Sequence, residues 1–146
     1  MKSPRRATRL PRWQEYAVYL TLGALFVTGL LWLGLDQWAR VETDFGPEHH
    51  PTQRWTLIAH GVAAYLFLVV GGAMIPIHVK LGWHLKRNRG SGLVLGLTAI
   101  LLAGSGVGLY YIGAEAMRAS ASLMHWLVGI LVIPALIVHA VRGLRG

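Results

Sequence analysis

Four of the chain's seven histidines lie inside long apolar stretches, where an imidazole is costly unless something binds it. His60 and His78 fall in "HGVAAYLFLVVGGAMIPIH", and His125 and His139 bracket "HWLVGILVIPALIVH". Eighteen residues separate the first two, which at about 100° per residue is five whole helical turns, so they share a face. Fourteen residues separate the second two, about 40° short of four turns and again one face. Each stretch therefore carries a stripe with an imidazole toward either end. Two imidazoles on facing helices with a gap between them suit axial ligation of a haem from both sides.

Depth supports the pairing. His60 lies five residues after Trp55, and His125 five after Ser120. In an up-down-up-down bundle the second and fourth helices run in the same direction, so His60 faces His125 and His78 faces His139. The second pair is mismatched: eighteen residues rise about 27 Å and fourteen about 21 Å. Pro76, two residues before His78, removes a backbone hydrogen bond and is placed to bend that end inward. Met74, fourteen residues from His60, is the alternative ligand, although two imidazoles are the simpler reason for His78. Ala64, Gly71 and Gly129 fall within about 40° of the histidine stripes and would let a macrocycle approach the backbone. Phe67 and Val132 each follow the first histidine of their stretch by seven residues and would fill the core between two haems. The ladder Gly96, Gly104, Gly106 and Gly108 reads as helix packing. His49, His50 and His84 read as solvated loop residues.

The elements that must position these residues are transmembrane helices. Of the 146 residues 54% are hydrophobic and 14% charged, well below the charge of an ordinary soluble domain. Four apolar stretches, at about 13–38, 55–79, 92–112 and 120–141, each approach or exceed the ~20 residues that cross a bilayer. The expected fold is all-α, an integral membrane up-down-up-down four-helix bundle, with a basic tail at 1–12 and one haem-binding domain at 13–146.

The net charge of +8 is unevenly placed. Lys2, Arg5, Arg6, Arg9, Arg12, Lys80, Lys86, Arg87, Arg89, Arg142 and Arg145 fall on one side. Arg40, Arg54 and Arg118 fall on the other, diluted by Glu42, Asp44, Glu48 and Glu115. By the positive-inside rule both termini are cytoplasmic. The basic surplus orients helices and meets anionic lipid, so nucleic acid is not needed to explain it. Arg5–Arg6 reads as part of that charge anchor rather than as an export signal. Trp38, Trp55 and Trp126 are expected at the outer edge, and Trp13 and Trp83 at the inner. With no cysteine, disulfides, cysteine-ligated iron–sulfur clusters and covalent haem attachment are excluded.

His60, Gly71, "IPIH" ending at His78, "HWLVG" starting at His125 and "LIVH" ending at His139 resemble the small bacterial cytochrome b-type membrane subunits. The resemblance implies a four-helix bundle of the bacterial inner membrane with two noncovalent, bis-histidine haems b. It implies ligation by His60, His78, His125 and His139, and electron transfer between the quinone pool and a redox partner. Such a chain is an electron-transfer subunit of an oxidoreductase complex rather than an enzyme alone. A periplasmic redox protein, or other subunits of a respiratory or photosynthetic-type complex, would complete it. Arg54 and Arg118 on the outer side, and Lys80, Arg87 and Arg142 on the inner, are candidates for haem propionates. Asp36 and Glu115 are the outer carboxylates a quinone site could use. The rival reading is a haem-free anchor subunit, or a transition-metal-binding membrane protein using the histidine stripe.

Overall fold

The computed structural model describes residues 10–145, with side-chain surroundings through residue 143. Of the basic tail, Lys2, Arg5, Arg6 and Arg9 lie outside the described residues. The order is α1 (Arg12–Trp38), β1 (Val41–Thr43), β2 (Gly46–Glu48), α2 (Pro51–Met74), a π-turn (Ile75–Val79), α3 (Lys80–His84), α4 (Arg89–Tyr111) and α5 (Glu115–Arg145). Four helical runs, Arg12–Trp38, Pro51–His84, Arg89–Tyr111 and Glu115–Gly143, are long and apolar enough to cross a membrane. This is a multi-pass, four-helix membrane chain. At most 17% of the most apolar part of any run is buried, leaving broad apolar faces of the kind that lipid can cover.

Three helices start earlier than hydropathy predicts, for local reasons. Pro51 occupies the first turn of α2, where its missing N–H costs nothing. His50 caps that turn, its Nδ1 accepting the Thr52 N–H at 3.2 Å and its carbonyl the Gln53 N–H at 2.8 Å. Asn88 precedes α4 in the left-handed region, which asparagine tolerates. α5 opens at Glu115, an acidic residue in the first turn, where the helix dipole favours it. Trp126, expected at the membrane edge, consequently lies three turns inside α5.

The all-α expectation misses one small feature. Residues 41–48 form a two-stranded antiparallel hairpin pairing Val41 with Glu48 and Thr43 with Gly46. Gly46 has φ 108°, which a side chain would strain, and its carbonyl accepts the Thr43 hydroxyl at 2.8 Å.

The chain forms two compact units, Leu10–Met74 and the chain from Ile75 onward. In the first, α1 packs on α2; in the second, α4 packs on α5. Each is an antiparallel hairpin, as the pairs below demonstrate. Hydroxyls in these helices have no water to turn to and give their protons to their own helix: Thr21 to Ala17 O at 2.7 Å, Thr98 to Val94 O at 2.8 Å.

Candidate functional site

In the first hairpin α1 brings Thr28 to His60 on α2, with Oγ1 and Nδ1 3.0 Å apart. In the second, Ser105 on α4 meets His125 on α5 at 2.8 Å, and Ser91 on α4 meets His139 on α5 at 2.9 Å. In all three cases the ring nitrogen is Nδ1 and the partner is a hydroxyl on the preceding long helix. A glycine follows each hydroxyl residue. A Cβ on Gly29 would sit 3.4 Å from His60 Cε1, one on Gly106 3.5 Å from His125 Cε1, and one on Gly92 3.6 Å from His139 Cε1. Each imidazole therefore lies in a cradle made by a Thr-Gly or Ser-Gly pair, with its Cε1 just beyond the place a glycine side chain would begin.

The hydroxyl protons decide how these bonds run. Thr28 Oγ1 is 2.6 Å from its own helix's Ala24 carbonyl, and Ser105 Oγ is 2.6 Å from the Leu101 carbonyl. A hydroxyl has one proton, and at that distance the carbonyl holds it. The oxygen lone pair is left to accept, so Nδ1 is the donor. His60 and His125 are then Nδ1–H imidazoles whose Nε2 bears the lone pair. That is the tautomer a metal-ligating histidine adopts when a neighbour holds its other nitrogen. Ser91 Oγ differs: it lies 2.9 Å from His139 Nδ1 and 3.3 Å from the Asn88 carbonyl, so distance does not assign its proton to the carbonyl.

His78 belongs to the unit from Ile75 onward and sits in the π-turn Ile75–Val79. Pro76 has no N–H to give to an α-helical ladder, and the wider i→i+5 turn absorbs the defect. Residues in such a turn advance less than 100° each, so the eighteen-residue interval from His60 is not five whole α-turns. The turn places the His78 ring 6.0 Å, centre to centre, from His139, with the planes inclined at 72°. His78 and His139 are thus brought together within one unit.

The other expected residues are placed less tellingly. An added Cβ on Gly71 meets nothing within 4 Å, and one on Gly129 meets Leu102 Cδ2 at 3.9 Å, so neither abuts a histidine. Gly106, assigned by sequence to helix packing, is a cradle residue, whereas Gly96 and Gly104 meet nothing within 4 Å. Met74 ends α2 half-buried. Arg54 and Arg118 are exposed in the first turns of α2 and α5. Asp36 is the hub of a polar cluster: Oδ1 accepts from Gln53 Nε2 at 3.3 Å and Arg40 NH2 at 3.4 Å, and faces His49 Nδ1 at 3.4 Å. Glu115, exposed, has no such arrangement around it in the first turn of α5.

The cradle hydroxyls and glycines are the residues of this candidate site that sequence reasoning missed. A signal for them exists. Ser91 and Ser105 are fourteen residues apart, as are His125 and His139, and both serines precede a glycine. Among the described residues no three of His, Asp and Glu converge as a metal cluster. No protein family, curated protein or solved structure matches the chain.

Proposed function

We propose that the chain is a membrane-embedded b-type cytochrome subunit holding two noncovalent haems b, ligated by His60, His78, His125 and His139, with His78 and His139 sharing one of them. The observation that carries the reading is the placement of the imidazoles: three intramembrane rings held at Nδ1 by hydroxyls of a neighbouring helix, and the ring of His78 set beside that of His139. His78 and His139 stand 6.0 Å apart, ring centre to ring centre, and would be the residues that hold one haem iron. This favours His78 over Met74 as the ligand.

Bound haem would supply one-electron chemistry, and the chain's own residues supply ligation, orientation and a dry, apolar surround. The protein would relay electrons across the inner membrane between quinone and a redox protein or companion subunit. Both termini are cytoplasmic by the charge bias. Arg118, two turns before His125 on the same face, is the better placed of the outer propionate candidates. A transition-metal carrier is the weaker reading, because a tetrahedral site needs three or four converging ligands and the imidazoles here occur singly or in a pair. A haem-free anchor would use the hydroxyl–imidazole pairs only to pack neighbouring helices, and leaves the approach of His78 to His139 unexplained.

The test is a dithionite-reduced minus oxidised visible spectrum of the chain purified in mild detergent after expression with haem supplied, with extracted haem counted per chain. A sharp α-band and two haems per chain are expected. A colourless protein would overturn the reading in favour of the anchor.

A further inference from the structure

Thr28, Ser91 and Ser105 are ordinary membrane-helix residues taken one at a time. Taken together they share two properties, and Thr28 and Ser105 a third. Each meets a histidine at Nδ1, within 2.8–3.0 Å. Each is followed by a glycine on which an added Cβ would lie 3.4–3.6 Å from the ring's Cε1, in van der Waals contact with it. Thr28 and Ser105 each give their own proton to a carbonyl of their helix four residues back, at 2.6 Å. Ser105 is buried although it is polar, so the bond to His125 satisfies a group that lipid could not.

We propose that Thr28 and Ser105 are positioning residues that hold His60 and His125 as the Nδ1–H tautomer, and that together with Ser91 at His139 they fix the direction in which each ring's Nε2 points. Neutral histidine left to itself exchanges its proton between the two nitrogens. In the cradle the acceptor at Nδ1 is built in before any metal arrives. The exchange is therefore settled in advance, and the ring cannot swing without losing both the bond and its seat on the glycine. The partner oxygen accepts a proton that becomes more acidic when Nε2 binds a cation, so the bond strengthens on ligation and makes the imidazole a better donor. The proposal rests on the haem reading for the identity of the metal, but the tautomer belongs to the protein alone.

That separation supplies the test. The full chain, labelled with 15N-histidine and expressed without a haem supply, is reconstituted in phosphatidylcholine bilayers, and the ring nitrogens are recorded by solid-state NMR. The expected result is protonated Nδ1 and unprotonated Nε2 at His60 and His125. Ser105→Ala should return His125 alone to a mixture rich in the Nε2–H form, and Ser105→Thr should restore the wild-type signal. Nε2–H tautomers at His60 and His125 in the wild type, or a His125 signal unmoved by Ser105→Ala, would overturn the proposal. In haem-loaded protein, Ser105→Ala should weaken ligand affinity by about 10–100-fold and raise the reduction potential of one haem. If the wild type takes up no haem but shows these tautomers, the cytochrome reading fails and the positioning role stands. If it takes up haem and Ser105→Ala leaves both tautomer and potential unchanged, the reverse holds.

Discussion

The two hairpins are built alike and furnished differently. α4·α5 carries two cradles fourteen residues apart, Ser105 with His125 near the connecting loop and Ser91 with His139 far from it. α1·α2 carries one, Thr28 with His60. Continuing its antiparallel register by fourteen residues from the loop puts Gln14 and Met74 where the other hairpin has Ser91 and His139. No imidazole stands there; the chain instead turns once through a π-segment and presents His78 four residues later. The difference teaches that an antiparallel hairpin can repeat a ligand site at a fixed interval, and that the repeat can be replaced at one position by a local change of helix type.

The largest effects should come from removing the histidines. His139→Leu and His78→Leu are each expected to cost one of the two haems and to leave the spectrum of the other intact. His60→Leu should do the converse. The double substitution His125→Leu with His139→Leu, which empties both cradles of one hairpin, should abolish haem binding. Haem counts and redox titrations of the four proteins check this. Retention of both haems in His78→Leu would break the comparison, because Met74 would then be the ligand.

Next in size are the cradle glycines. Alanine at Gly106 would bring a methyl to 3.5 Å from His125 Cε1, an ordinary contact. Gly106→Ala should therefore bind haem nearly as the wild type does. Gly106→Val adds branches that must push the ring, at a cost of about 1–3 kcal/mol, and should lower occupancy at that site. The same pair of substitutions at Gly104, where nothing lies within 4 Å, should leave haem content unchanged. Equal effects at Gly104 and Gly106 would mean that helix spacing, not ring contact, is what glycine provides.

The π-turn is a finer test. Pro76→Ala restores an N–H and allows Ile75–Val79 to relax to an α-helix, which rotates His78 away from His139. The electron paramagnetic resonance signature of one haem should change while that of the other stays fixed. An unaltered signal would mean that the π-turn is held by something other than Pro76.

The four spans and four histidines were legible in the sequence because hydropathy and helical period are local properties. Expectation and structure agree on the four membrane helices within a few residues, and the deviations come from caps such as His50 and Asn88. The cradles were not legible in the same way. Whether Ser91 meets His139 depends on where the loop at 112–114 sets the antiparallel register, which periodicity within either helix does not encode. Gly106 was for that reason grouped with its helix neighbours rather than with His125. Pro76 announced a departure from α-helix after Met74, but not whether it would be a kink or a wider turn. The β1–β2 hairpin escaped notice because three-residue strands are too short for an alternating pattern.

The smallest effects should come at the loop ends, where the hairpins differ again. α4·α5 closes through residues 112–114, whereas α1·α2 closes around Asp36. The contacts of Asp36 with Gln53, Arg40 and His49 run from 3.3 to 3.4 Å, long for hydrogen bonds, and the Arg40 and His49 side chains are 48% and 68% exposed. Exposed pairs of this kind contribute about 0–1 kcal/mol. Gln53 is buried and its Oε1 has no hydrogen-bond partner, a cost that offsets what its Nε2 gains from Asp36. Asp36→Asn should therefore lower stability by about 1 kcal/mol or less, and Gln53→Met, which removes the unsatisfied oxygen, should be neutral or slightly stabilising. Thermal unfolding of both in detergent, followed by circular dichroism, measures this directly. A large loss in Asp36→Asn would show that the polar cluster, rather than the Thr28–His60 cradle, sets the register of the first hairpin, and the likeness between the two hairpins would then be confined to their sequences.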